Sequence, residues 1–130
     1  MESVTIHDLA KGVLAVHLID ILRLCEPKAR QSSWHVDGVD SLGLLSDVFN
    51  RIGDDKAVVE GDELLRLAAG VYQIIDGNFA ARLPCDDTLW LSISAIDSSY
   101  YAIATDDKAL LARIRARYSD VRFDGGSWSA

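Results

Sequence analysis

A chain of 130 residues, 49% hydrophobic and 25% charged, carries enough apolar mass for one folded domain and is not disordered. Its formal net charge of −7 disfavours phosphate backbones and anionic membrane surfaces and favours cationic partners, basic proteins among them. The cysteines Cys25 and Cys85 lack CxxC spacing, the start shows no secretory leader, and the apolar run 12–24 is broken by His17, Asp20 and Arg23, so a cytoplasmic protein with reduced thiols and no membrane span is expected.

The first predicted element is a helix over residues 5–25, capped by Thr5 with Asp8 three positions on and stopped near Pro27. Ile6, Leu9, Ala10, Val13, Leu14, Ile21 and Leu24 then share one broad face. His17 and Asp20 fall inside that face, three apart, where their side chains can meet. They form either a polar pair that satisfies itself in a helix contact or a functional couple.

Residues 27–41 read as irregular, with a short edge strand over 33–37 around Trp34. His35, Asp37 and Asp40 lie at a spacing that offers ligands but matches no metal-site rule, so a solvated acidic loop is the expectation, with no metal and no cofactor. A second helix is predicted over 41–52, capped by Ser41, striped by Leu44, Leu45, Val48, Phe49 and Ile52, and ended by Gly53. A third, over 62–75, buries Leu64, Leu65, Leu67, Ala68, Val71, Tyr72, Ile74 and Ile75 on so wide an arc that it should lie centrally across a sheet. Ala69 and Gly70 would admit a close neighbour, and Asp76-Gly77-Asn78 would terminate it.

Three strands follow, over 79–83, 89–96 and 100–105, joined closely enough to form an antiparallel meander. Leu89, Leu91, Ile93 and Ala95 occupy one face of the middle strand. Trp90, Ser92 and Ser94 occupy the other, alongside Tyr100 of the next strand. Trp90 and Tyr100 on a polar face are either a contact patch or lie beneath the C-terminal tail. The last helix starts at Thr105 or Asp106 and packs through Leu110, Leu111, Ile114 and Tyr118. The tail 124–130 should be flexible, with Trp128 able to dock. The expected class is therefore α+β in a single domain: three N-terminal helices, a three-stranded antiparallel meander with a fourth short edge strand near Trp34, and a C-terminal helix. The hairpin and helix within 88–118 are its best-specified unit.

The charge is unevenly spread. Residues 32–65 hold eight acids against Arg51 and Lys56 and so carry −6. The residues before them balance, and residues 100–130 are weakly positive. The chain shows no nucleophile elbow, phosphate-binding loop, dinucleotide turn or zinc spacing. The Asp97-Ser98-Ser99 cluster has the composition of a turn. No enzymatic activity and no nucleic-acid partner are expected. In size, acidity and lack of catalytic motifs the chain resembles bacterial toxin-neutralising immunity proteins, a likeness of general character that covers no motif and implies a basic protein partner.

Three functions follow. The first is a binding module contacting a basic protein through Asp37, Asp40, Asp54, Asp55 and Glu60, with or without Trp90 and Tyr100. The second is a small-ligand binder or enzyme with a pocket between sheet and helices involving His17, Asp20 or His35. The third is a homodimer joined through its sheet face or edge.

Overall fold

The computed structural model describes residues 1–85 and 87–123. The expected tail 124–130, with Trp128, lies outside the described residues. The chain runs β1 (Glu2–Ile6), β2 (Leu9–Ala10), β3 (Val13–Leu14), α1 (Leu18–Leu24), α2 (Lys28–Gln31), β4 (Ser33–Leu42) and α3 (Ser46–Asp54). It continues through β5 (Val58–Glu60), α4 (Gly61–Ala69), β6 (Gln73–Leu83), β7 (Thr88–Ile96), β8 (Tyr100–Thr105), α5 (Lys108–Arg117) and β9 (Val121–Phe123). Seven strands form one antiparallel sheet in the order β5-β4-β6-β7-β8-β1-β9, and β2 and β3 make a separate hairpin.

The alternation of each strand divides this sheet into two unlike faces. Val36, Phe79, Ile93, Ile103 and Val4 align across five strands, and none is more than 1% exposed. Helix residues Ile21, Phe49, Leu64, Leu67, Leu110 and Ile114 close over this row in one core. The neighbouring rows face the other way and are small or polar: His35, Ala80, Ser92, Ala104 and Ser3 in one, Asp37, Asn78, Ser94, Ala102 and Thr5 in the next. Helices therefore line one face and leave the other open.

The architecture is α+β but far richer in strand than three helices and a three-stranded meander. Residues 5–25 are not one helix. Val4, Thr5 and Ile6 are β-branched and pair with β8 and β9. Lys11 and Gly12 both take positive φ, 54° and 78°, and turn a hairpin where the helix would have continued. Thr5 is a strand residue bonded through Oγ1 to His7 Nε2 at 2.8 Å, not a cap. The helix expected over 41–52 starts later, because Ser41 belongs to β4 and donates to Asn50 Oδ1 from its N–H and hydroxyl, at 2.9 and 2.8 Å. Gly53 does not end that helix. It lies inside it, where the absence of a side chain lets α3 press on the backbone of Val39.

The wide apolar arc over 62–75 proves to be two elements. Helix α4 stops at Ala69, and the chain re-emerges as β6. Gly70 does admit a close neighbour, the side chain of Leu45. The expected terminator at Asp76-Gly77-Asn78 is mid-strand, with the Phe79 ring filling the space over Gly77. The short edge strand near Trp34 is the ten-residue β4, flanked on both sides by β5 and β6. The expected three-stranded meander is only the middle of the sheet: β6, β7 and β8 are antiparallel neighbours with β4 and β1 on either side, and α5 follows, capped by Asp107 instead of Thr105 or Asp106. Among the described residues no helix is long and apolar enough to cross a membrane.

Candidate functional site

The residues expected to bind a partner separate into three places. Asp37, Asp40, Asp54, Asp55 and Glu60 gather along one edge of the sheet, on β4, the end of α3 and the end of β5. Tyr100 begins β8, two strands beyond β6, and stacks on His7 with ring centroids 4.9 Å apart. Trp90 is on no open face. The register of β6 against β7 slips between Ala81 and Arg82, which leaves Trp90 as the unopposed residue of a bulge. Its ring turns inward to 6% exposure, donates from Nε1 to Ser32 Oγ at 2.9 Å, and lies under Lys28 Nζ at 4.2 Å from its centroid. Leu89 is displaced from the inward face by the same slip.

His17, Asp20 and His35 do not converge. His17 precedes α1 and lines a crevice of about 10 Å³ with Ala68 and Tyr72, room for one water. Asp20 sits 3.9 Å from Arg23 Nη1. His35 is on the open sheet face, its Nε2 3.1 Å from the Lys56 carbonyl. Among the described residues His17 and His35 thus line different cavities, and Asp20 lines neither. Among the described residues no His, Cys, Asp and Glu side chains group as metal ligands. Cys25 is buried, and burial pushes its thiol up to about 12 against the opposing pull of Arg113, so it stays protonated and unreactive.

The acidic edge has an unusual electrostatic layout. Of the eight acids in residues 32–65, Asp62 pairs with Arg30 at 2.7 Å and Glu63 pairs with Arg66. Among the described residues the other six, Asp37, Asp40, Asp47, Asp54, Asp55 and Glu60, have no hydrogen-bonding or ionic partner for their carboxylates. Three of them sit where the fold gains nothing from a negative charge. Asp54 ends α3 and Asp55 is its C-cap, at the negative end of the helix dipole. Asp40 lies directly opposite Asp76 on β6, a like-charged cross-strand pair at a register break.

Apolar side chains accompany these charges. Leu44 is 92% exposed and Tyr72 66% exposed, with Leu42, Val48 and Val58 also open to solvent. Leu42 and Tyr72 are joined by a backbone bond of 2.9 Å, and Gly43 abuts Val71 so closely that only a glycine at φ 139° fits. Leu45 N–H donates to the Gly70 carbonyl, which ties the loop before α3 to the loop after α4. Leu42, Leu44, Val48 and Tyr72 thus follow one seam beside Asp40 and Asp47. Periodicity assigned Leu44, Val48 and Tyr72 to buried stripes. The signal against burial was Leu42-Gly43-Leu44-Leu45, four residues in which only one leucine, Leu45, faces the core cluster. Comparison with protein-family models, with curated proteins and with solved structures finds no match.

Proposed function

We propose that the chain is a protein-binding module that docks a basic partner on the β4–α3 edge, as an immunity or inhibitor-type protein would. The observation that carries this reading is the placement of Asp40, Asp54 and Asp55 at positions where their charge opposes folding. Local rules broken without structural gain mark surfaces kept for another purpose. The exposed seam of Leu42, Leu44, Val48 and Tyr72 supplies the apolar centre that a stable interface needs, and the free carboxylates supply a rim that steers a cationic surface into register. Aromatic anchors carry a large share of binding energy, which makes Tyr72 the expected hot spot.

Affinity capture from the native host, with wild type beside Asp40→Asn/Asp54→Asn/Asp55→Asn and Tyr72→Ala, tests the proposal. A protein of basic isoelectric point should be retained by wild type, released by salt, and lost from both variants. Retention of the same proteins by all three baits, or of no basic protein at low salt, would refute it.

A further inference from the structure

We propose that a groove on the open face of the sheet binds a free α-amino acid with an apolar side chain. The groove encloses about 420 Å³ between β5, β4, β6 and the start of β7, within the range of small-molecule sites. Ser33, His35, Val58, Ala80, Arg82, Asp87 and Leu89 line it. It lies on the far side of the sheet from the helices and does not include the Leu44–Tyr72 seam.

Its shape follows from two local features. The slip between β6 and β7 brings Leu89 and Arg82 opposite each other on the open face while Trp90 turns inward. Alanine at position 80, in register with His35 and Ser92, leaves the space between them unfilled.

Its chemistry is that of a zwitterion site. Arg82 Nη1 donates to the backbone carbonyl of Asp87 at 3.0 Å, which holds the guanidinium in place without consuming a carboxylate. Among the described residues Arg82 forms no ion pair and the Asp87 carboxylate has no partner. One fixed cation and one free anion therefore border the same groove without neutralising each other. An α-carboxylate satisfies Arg82 through its remaining donors, and an α-ammonium satisfies Asp87. Val58, Ala80 and Leu89 offer the apolar wall for the side chain. The −7 net charge disfavours a purely anionic ligand, and the balanced pair admits a neutral zwitterion.

Amide-resolved NMR titration with L-leucine, L-phenylalanine, L-valine and L-methionine tests this. At least one should give saturable shifts at millimolar concentration, centred on Ser33, His35, Ala80, Arg82 and Leu89. The N-acetyl form, which lacks the ammonium, and the amide form, which lacks the carboxylate, should each bind about tenfold more weakly. Arg82→Gln should abolish discrimination against the amide form only, and Asp87→Asn discrimination against the N-acetyl form only. Both positions are exposed, and an unchanged melting curve for each variant separates lost binding from lost folding. No saturable shift with any of the four, shifts centred elsewhere, or binding of either blocked analogue as tight as that of the free amino acid would overturn the assignment.

Discussion

The two edges of the sheet carry opposite charge and use it differently. At the β9 edge several charges among the described residues have a structural task. Arg113 Nε donates to the Leu24 carbonyl at 2.8 Å, Arg115 lies 5.0 Å from the Phe123 ring and Arg117 4.9 Å from the Tyr118 ring. Arg122 pairs with Asp120 at 3.1 Å, and the Asp8 carboxylate accepts from the backbone of Ser119 and Asp120. At the β5 edge six carboxylates do no such work. Charge at one edge is part of the fold, and at the other it is displayed by the fold.

Substitutions can break this contrast, beginning where the effect is greatest. Ile114, fully buried on α5, anchors the basic edge. Ile114→Ala should cost about 2–5 kcal/mol, read from the denaturant midpoint. Gly53→Ala would drive a methyl into the Val39 backbone and should cost about 1–3 kcal/mol. An unchanged midpoint there would mean that α3 is free to shift and that the acidic edge is not rigidly presented.

Asp107 gives a subtler test. Burial raises its carboxyl pKa, but the Leu110 N–H and the Lys28 ammonium outweigh that and hold it below its ordinary value. A carboxyl lowered in the folded state stabilises fully above its unfolded pKa and loses that contribution as pH falls through the folded one. Asp107→Ala should therefore cost about 1 kcal/mol at neutral pH, and the gap from wild type should close in acid. At the other edge the sign reverses. Asp54→Asn and Asp55→Asn should each raise stability by roughly 0.3 kcal/mol at low salt, an increment that salt erases, while weakening capture of a basic partner. A loss of stability instead would give these acids a structural role and remove the main support for the docking edge.

How much of this the sequence discloses depends on the range of the interactions. The β7–β8 hairpin and α5 are local, and alternation and the stripe of Leu110, Leu111 and Ile114 identify them, although the cap of α5 is Asp107 and not Thr105 or Asp106. Residues 5–25 and 62–75 mislead because a strand, a turn and a short helix in succession can mimic helical spacing. What decides them is pairing with distant partners, such as Ile6 with Tyr101. The inward turn of Trp90 depends on a bulge, which breaks the alternation that placed it outside. The acidic edge is legible as a charged segment, because charge needs no fold to be counted. The seam is not, because Leu44 and Tyr72 look like core residues until the surface is known.

The position of β1 has a consequence for how the molecule forms. This strand is inserted between β8 and β9, with Val4 opposite Ile103 on one side and Phe123 on the other. On the ribosome it emerges before the other described strands of its sheet, while its neighbours β8 and β9 are the last two of them to be made. The sheet cannot close from one end to the other as synthesis proceeds, and Val4, Thr5 and Ile6 stay unpaired until β8 has been made, gaining their second neighbour only with residues 121–123. Contacts so distant in sequence place folding on the slower timescale of milliseconds to seconds, with an exposed β-branched strand as the hazard of the interval.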